Sequence, residues 1–259
     1  MKIYFLGTLS GCEPNAKRKH SSIVVETSNK LYFFDAGEGC SRTAHLLGLD
    51  LLKTNKVIIS HTHLDHVGGL SNLMWTIKKI SFAEKRKTDV DNIEIYIPNL
   101  ESYEGIEKVL KNTEYARMSG VEFSAKQVFE GELFNDNNLK VSAYHTTHIL
   151  KTNENEPWRS FCFVIECEGK RVVYSGDIRN INEDLDNVIN EGCDILILES
   201  GHIKIDGIYN YLKDKNVKKV YLTHCGREII NNEEESAKKV ENLFEGKAFI
   251  AYDGLMVEV

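Results

Sequence analysis

Several features that mark other protein classes are scarce in this sequence. Its 259 residues include only three prolines and no Pro/Gly/Ser-rich linker, so we expect residues 1–259 to form a single domain. No apolar run approaches the roughly 20 residues of a transmembrane helix, and the start is not typical of a signal peptide. Lys and Arg (32) are fewer than Asp and Glu (39), so a net charge of −7 argues against broad nucleic-acid binding. A basic run, KRKH at 17–20, is interpreted as a solvated loop in preference to a phosphate contact.

Cysteine usage indicates a reducing compartment. The six cysteines are scattered, with no C-x-x-C pair and no dense disulfide framework. At 42% hydrophobic and 27% charged residues, the composition is that of an ordinary globular protein. We therefore expect a cytoplasmic protein with no membrane partner.

Short apolar runs and helical patterns alternate in both halves of the chain. The runs predict strands at Lys2–Leu6, Ser22–Glu26, Leu31–Phe34, Lys56–Ser60, Glu94–Ile97, Lys140–Tyr144, Phe161–Cys167, Arg171–Tyr174, Asp194–Leu198, Val220–Thr223 and Ala248–Tyr252. Helical spacing predicts helices at Leu70–Lys87, Ser102–Lys111, Asn182–Asn190, Asp206–Lys215 and Glu233–Phe244. The first three strands are expected to form an antiparallel meander. This order predicts an α/β fold, a four-layer α/β/β/α sandwich of two mixed β-sheets flanked by helices.

The densest group of metal-ligand side chains lies directly after a predicted strand. Residues 56–69 read KVIISHTHLDHVGG, so His61, His63, Asp65 and His66 arrive within six residues. Imidazole nitrogen and carboxylate oxygen suit Zn²⁺, Fe or Mn. A catalytic metal keeps an open coordination position, so four ligands in one segment exceed the need of a single ion. We therefore predict two ions, with His61 and His63 on one and Asp65 and His66 on the other.

Three later strand ends carry further candidate ligands. His148, Asp177 and His224 each stand where an apolar strand runs into a turn. Open α/β sheets present binding groups at such strand ends. Because the same context recurs, we predict that these side chains complete the two metal sites. His145 competes with His148 for its position.

These motifs together resemble a known family of hydrolases. HTHLDH at 61–66, His148, SGD at 175–177 and LTHCG at 222–226 are similar to the metallo-β-lactamase fold hydrolases, over nearly the whole chain. FDAGEG at 34–39 resembles that family's early aspartate-glycine turn, which supports the metal loop. The opening MKIYFLGT and the closing IAYDGLMVEV resemble the ribonuclease Z and cyclic phosphodiesterase branch.

The resemblance implies a ligand assignment, with two divalent ions, zinc first and Mn or Fe as alternatives. It puts His61, His63 and His148 on the first ion, Asp65, His66 and His224 on the second, and Asp177 as the bridge. It favours His148 over His145. The commonest true β-lactamases carry a cysteine at the position of Asp177, so antibiotic hydrolysis is not expected.

The resemblance also implies a proton donor. His202, in LESGH at 198–202, is similar to the non-ligand catalytic histidine of ribonuclease Z, with Glu199 as the acid that orients it. An imidazole held by a carboxylate is suited to acid–base chemistry. The expected catalytic set is therefore Asp65, His202 and Glu199.

The favoured function is a binuclear metal-dependent phosphodiesterase. Two bridged ions would make hydroxide available near neutral pH and polarise the electrophile. Ribonuclease Z enzymes grip tRNA with a long arm between the equivalents of His148 and Asp177, and 29 residues leave no room for it here. We therefore expect a small or cyclic phosphodiester, or a nucleic-acid end, as substrate.

Other functions stay open at this point. One is a ribonuclease Z-like tRNA 3′ endonuclease without the arm, and another is a thioester or lactone hydrolase of the glyoxalase II type. A non-hydrolase alternative is a di-iron redox module, although that class needs an acidic ligand where this chain has His63. A homodimer is also left open.

Overall fold

The structure, a computed structural model, describes residues 1–118 and 120–259. Within this range the strands are β1 (Lys2–Gly7), β2 (Ser22–Thr27), β3 (Lys30–Phe34), β4 (Thr54–Ile58), β5 (Asn92–Ile97), β6 (Glu122–Gln127), β7 (Gly131–Asn135), β8 (Lys140–His145), β9 (Phe161–Cys167), β10 (Lys170–Tyr174), β11 (Cys193–Ser200), β12 (Val217–Cys225), β13 (Ala248–Ile250) and β14 (Met256–Glu258). They form two seven-stranded sheets, in the orders β14-β1-β2-β3-β4-β5-β6 and β13-β12-β11-β10-β9-β8-β7.

The helices of the described residues lie between the strands in the sequence. They are α1 (Cys40–Leu46), α2 (Leu64–Val67), α3 (Leu70–Glu84), α4 (Leu100–Lys111), α5 (Ile181–Ile189), α6 (Ile205–Leu212), α7 (Arg227–Ile230) and α8 (Glu233–Phe244), with 3₁₀ turns at Leu51–Lys53 and Glu114–Arg117. None of these helices combines the length and hydropathy that crossing a bilayer requires.

Each sheet changes from antiparallel to parallel pairing part-way across. β1, β2 and β3 form the expected antiparallel meander, and β3 to β6 then pair in parallel. In the second sheet β7 to β10 are antiparallel and β10 to β13 are parallel. Parallel neighbours need crossover connections, and helices supply them on the outer faces.

Three apolar cores separate the layers. Alternation along β1 sends Ile3 and Phe5 into the core between the two sheets, while Leu6 faces the outer helices. The outer core of the first sheet is shared with α1, α3 and α4, and that of the second with α5, α6 and α8. The order helix, sheet, sheet, helix confirms the predicted four-layer fold.

The differences from the predicted elements concern edges and boundaries. The strand predicted at 56–60 is β4, which ends at Ile58 and leaves Ile59 and Ser60 in the loop that carries the histidines. The elements α1, α2, α7, β6, β7 and β14 were not predicted. β6 and β7 are edge strands with few buried side chains, so they lack the apolar runs that mark a central strand. That residues 1–259 form one domain stays a prediction.

Candidate metal centre

The candidate ligands converge where strands of both sheets end. The loop after β4 leads through His61 and His63 into α2, which carries Asp65 and His66. The second sheet contributes His148 after β8, Asp177 after β10, and His224 near the end of β12. Both sheets therefore supply side chains to one point.

The first group comprises His61, His63, His148 and Asp177, each with one ligand atom within 4.8 Å of the others. His63 Nδ1 lies 3.0 Å from His61 Nε2 and 3.2 Å from His148 Nε2. Asp177 Oδ2 lies 3.7 Å from His61 Nε2 and 3.6 Å from His148 Nε2. Three imidazoles and a carboxylate oxygen thus face one another.

The second group comprises Asp65, His66 and His224, with the same mutual spacing of ligand atoms. Asp65 Oδ2 lies 3.1 Å from His224 Nε2 and 3.6 Å from His66 Nε2. The other oxygen of Asp177, Oδ1, lies 3.2 Å from His66 Nε2 and 3.4 Å from His224 Nδ1. Asp177 therefore has one oxygen toward each group.

Several buried polar atoms at this point have no hydrogen-bond partner within the described part of the chain. They include His66 Nε2, Asp177 Oδ1 and His224 Nδ1. Buried polar atoms in folded proteins are nearly always hydrogen-bonded, so unpaired atoms at one point need a reason. A divalent cation supplies it, because imidazole nitrogen and carboxylate oxygen are its usual ligands. The side chains present therefore fit a centre for divalent metal ions.

The protonation states of the two carboxylates and of His61 suit metal binding, whereas the carboxylates around His66 and His224 outweigh burial and raise the pKa of each of these imidazoles. Burial alone would raise the pKa of Asp177, but His224 and His66 outweigh it and hold that pKa well below its usual range. Burial would likewise raise the pKa of Asp65, but the hydrogen bond from His224, together with the charges of His66 and His224, outweighs burial and lowers that pKa. Burial and the neighbouring His66 lower the pKa of His61. Ionised carboxylates and a neutral imidazole are the forms that bind metal.

Asp35, which directly follows β3, orients His66 from behind. Its fully buried carboxylate lies 2.7 Å from His66 Nδ1 and accepts hydrogen bonds from the Ser60 backbone N–H and hydroxyl at 2.7 and 2.8 Å. Tyr174, on the second sheet, donates its hydroxyl to the same carboxylate at 2.6 Å. Holding Nδ1 in this way directs Nε2 of His66 into the second group.

The N-terminal segment holds His224. The backbone φ of His224 is 48°, a left-handed conformation that non-glycine residues rarely adopt without support. The next residue, Cys225, donates its backbone N–H to the Thr8 carbonyl at 2.6 Å and accepts from Ser10 N–H at 3.2 Å. These bonds fix the strand end that carries the ligand.

Arg18 anchors the same region. Its guanidinium is 7% exposed and donates to Thr8 Oγ1 at 2.6 Å, to the Ala251 carbonyl at 2.7 Å and to Glu233 Oε1 at 3.2 Å. The interpretation of residues 17–20 as a solvated loop is therefore wrong for Arg18, although Lys17 is 76% exposed. The guanidinium points inward because the Thr8 hydroxyl and the Ala251 carbonyl, which are buried, accept its hydrogen bonds.

His202 and Glu199 form a pair at the edge of the centre. His202 Nδ1 lies 2.9 Å from Glu199 Oε1, and the other oxygen of that carboxylate accepts backbone N–H bonds from Gly201 and His202. His202 is 42% exposed and lies 3.9 Å from Asp177 Oδ2. The hydrogen bond to Glu199 raises the pKa of His202. Burial would raise the pKa of Glu199, but the hydrogen bond from His202 and the nearby His224 outweigh burial and lower that pKa.

The structure distinguishes the two competing histidines, His145 at the end of β8 and His148 in the turn that follows. His148 joins the first group, whereas His145 Nδ1 lies 2.9 Å from Glu130 Oε2. The ring of His145 stacks on Trp158 with ring centroids 4.0 Å apart. His145 is thus engaged outside the clusters of ligand atoms.

Comparison with known proteins places the chain in a family. The model of the family described as "Anti-Pycsar protein Apyc1" matches residues 1–248. The chain belongs to this Apyc1 family. It is also 24% identical over 313 aligned positions to ribonuclease Z of Archaeoglobus fulgidus, covering 100% of this chain and 97% of that relative.

Solved structures share the fold of this chain. The metallo-β-lactamase fold protein YhfI from Bacillus subtilis superposes with a TM-score of 0.74 at 19% identity, covering 99% of each chain. A diphosphatase from the PhnP family superposes with a TM-score of 0.69 at 17% identity, covering 100% of this chain and 97% of the other. The predicted fold family and the resemblance to the ribonuclease Z branch are confirmed, and with them the hydrolase class. The roles of the individual ligands stay predictions.

Sequence patterns missed some residues that support the centre. The FDAGEG motif already pointed to Asp35, but its partner Tyr174 lies 139 residues away in the chain, and Arg18 lies 233 residues from its partner Ala251. Asp184 of α5, which contacts two of the ligand-bearing turns, was likewise not foreseen. No local motif marks such residues, because each is defined by a partner that only folding brings near.

Proposed function

We propose that this chain is a phosphodiesterase that uses two divalent metal ions to hydrolyse a small or cyclic phosphodiester or a nucleic-acid end. Zinc is favoured, with manganese or iron as alternatives. One ion would be held by His61, His63 and His148, the other by Asp65, His66 and His224, with Asp177 shared between them. When bound, such ions supply an activated water and positive charge against the phosphoryl oxygens.

The observation that carries this proposal is the placement of Asp177. Its Oδ2 faces His61 and His148, and its Oδ1 faces His66 and His224. A carboxylate that reaches two separate ligand groups at once is the arrangement that serves a pair of neighbouring cations. Paired cations favour in-line displacement at phosphorus, because they stabilise both the attacking and the leaving oxygen.

His202 is placed to protonate the leaving oxygen. Glu199 is hydrogen-bonded to Nδ1 of the His202 ring, which leaves Nε2 as the nitrogen that exchanges a proton with substrate. Glu199 is itself 1% exposed and fixed by two backbone N–H groups, so the imidazole is oriented before substrate arrives. A positioned imidazole of this kind contributes roughly 10²–10⁴-fold to a proton-transfer step.

The surroundings of the centre suit a small substrate. A cavity of about 530 Å³ is lined by Leu150, Arg179 and Ile203, which lie within two residues of His148, Asp177 and His202 in the chain, and another of about 490 Å³ includes Ser10 and Arg227. Between His148 and Asp177 the chain forms only a loop and the β9–β10 hairpin, so it has no arm there with which to grip a tRNA body. A cyclic diester or a single nucleic-acid end needs no such arm.

Two further parts belong to the same proposal. We treat residues 1–259 as one domain, because β14 pairs with β1 in the first sheet. We place the reaction in the cytoplasm, because all six cysteines are free thiols in the structure.

The test is hydrolysis of bis-p-nitrophenyl phosphate, beside a thioester, a lactone and a 3′-extended tRNA precursor. Metal-free protein is loaded with zinc, manganese or iron in turn. Diester cleavage with at least one metal is expected, and its absence with every metal refutes the proposal. Thioester or lactone cleavage alone favours the glyoxalase II type, and oxygen consumption by the iron form alone favours a redox module.

A pair of variants tests the proton donor. His202→Ala is expected to lower turnover by about 10²-fold or more while metal content stays that of the wild type. His45→Ala changes an exposed histidine of α1 and is the matched control. Loss of metal from His202→Ala, measured by elemental analysis, contradicts the role of proton donor.

A further inference from the structure

A buried carboxylate in the first turn of α5 has no cationic partner. Asp184 is 4% exposed, and within the described residues no side-chain nitrogen of Lys, Arg or His lies within 4.0 Å of its carboxylate. An ionised carboxylate is costly to bury unless hydrogen bonds satisfy its oxygens. The groups that donate hydrogen bonds to Asp184 therefore indicate which parts of the chain this side chain stabilises.

The carboxylate of Asp184 accepts four hydrogen bonds from two separate turns. Its Oδ1 accepts from the Thr147 backbone N–H at 2.6 Å, and its Oδ2 accepts from the Thr147 hydroxyl at 3.2 Å. Its Oδ2 also accepts from the backbone N–H groups of Arg179 at 2.8 Å and Asn180 at 3.0 Å. One side chain thus holds the turn after β8 and the turn after β10 together.

Each of these turns carries a candidate metal ligand. Thr147 directly precedes His148, and Arg179 follows Asp177 by two residues. The turns also touch directly, since the Thr146 hydroxyl donates to the Asp177 carbonyl at 2.9 Å. His148 Nε2 of one turn and Asp177 Oδ2 of the other lie 3.6 Å apart.

We infer that Asp184 is a positioning residue of the metal centre, which fixes His148 relative to Asp177 through the backbones of their two turns. The inference rests on the metal centre of the proposed function. A carboxylate is required because both oxygens accept, and three of the four bonds converge on Oδ2. An amide at this position would offer one acceptor and turn an NH₂ group toward donors.

The test compares Asp184→Asn with Asp186→Asn. Asp186 lies two residues further along α5, is 43% exposed and pairs with Lys215, so its variant makes the same chemical change on the same helix. Metal-free protein is titrated with Zn²⁺ by calorimetry and loaded with Co²⁺ for visible absorption spectroscopy. We expect Asp184→Asn to weaken binding of one ion by roughly 10–100-fold and to alter the Co²⁺ spectrum. Asp186→Asn keeps the affinity and spectrum of the wild type.

The outcomes separate this inference from the proposed function. If Asp184→Asn keeps both the affinity and the Co²⁺ spectrum, even with a lower melting temperature, Asp184 has a merely structural role and the inference is overturned. A wild type that binds metal but cleaves no diester refutes only the proposed function. If Asp184→Asn does not fold, Thr147→Val removes one of the four bonds, and a smaller loss of affinity is expected. Unchanged affinity in that variant also overturns the inference.

Discussion

Replacement of Arg18 by methionine tests whether a buried guanidinium holds the N-terminal segment against the strand end of His224. Methionine retains much of the apolar stem but removes every donor. The Thr8 hydroxyl, the Ala251 carbonyl and Glu233 then lose the partner that contacts them at 2.6, 2.7 and 3.2 Å. The variant therefore disconnects three separate parts of the chain.

The expected loss follows from burial. Leaving a buried hydrogen-bond acceptor unpaired costs about 1–3 kcal/mol in free energy of unfolding, and Arg18→Met leaves two, the Thr8 hydroxyl and the Ala251 carbonyl. Glu233 is 34% exposed and keeps Lys17, so its contribution is small, and we expect a total loss of about 3 kcal/mol. That is a large share of the roughly 5–15 kcal/mol that stabilises a typical domain.

Urea unfolding followed by circular dichroism measures this loss in metal-free protein. Lys17→Met is the matched control, because Lys17 is adjacent, pairs with the same Glu233 at 3.2 Å and is 76% exposed. An exposed pair of this kind contributes at most about 1 kcal/mol. If Arg18→Met and Lys17→Met unfold at the same urea concentration, burial of the guanidinium does not stabilise the fold and the reasoning is refuted.

Three other predictions concern the ligands, pH and metal removal. His148→Ala is expected to lower the metal content measured after dialysis, whereas His145→Ala retains it; equal losses would mean that the wrong histidine was chosen. Burial alone would raise the pKa of Glu94, but hydrogen bonds from Lys126 and Lys56 outweigh the effect of burial and lower this pKa to about 2. The stability that Glu94→Gln removes is therefore present above about pH 4.5 and disappears as the pH falls toward 2, and an unfolding difference independent of pH would contradict this. Chelation is expected to lower the melting temperature in scanning calorimetry and added Zn²⁺ to restore it, since an ion that binds only the folded state stabilises it; no shift with any divalent metal would argue against the centre.

Local patterns predict much of this fold because its central strands are apolar and its ligands follow them. His61 and His63 stand directly behind the run that becomes β4, and His224 lies near the end of β12. The carboxyl ends of parallel strands lie at the same edge of a sheet. Side chains that follow such strands in the sequence are therefore expected to lie close together in the fold. The spacing of the histidines in the sequence was therefore enough to predict these candidate ligands.

Other features depend on contacts that no local pattern encodes. The polar edge strands β6 and β7 are stabilised by pairing with β5 and β8 and not by their own burial. Arg18 lies in a basic run that is typical of a solvated loop, and its burial depends on acceptors from both ends of the chain. Asp184 is an ordinary acidic residue of a first helical turn until two other turns fold against it.

The division of ligands between the two sheets has a consequence for how the molecule opens. His63 of the first sheet meets His148 of the second across 85 residues, and Asp65 meets His224 across 159. An ion bound at either group would therefore act as a cross-link that closes a long loop, as a disulfide does, and a chelator would remove it. Separation of the two sheets would then require release of the metal. Hydrogen exchange of the amides in the core between the sheets is therefore expected to slow roughly by the ratio of the free metal concentration to the dissociation constant of the metal.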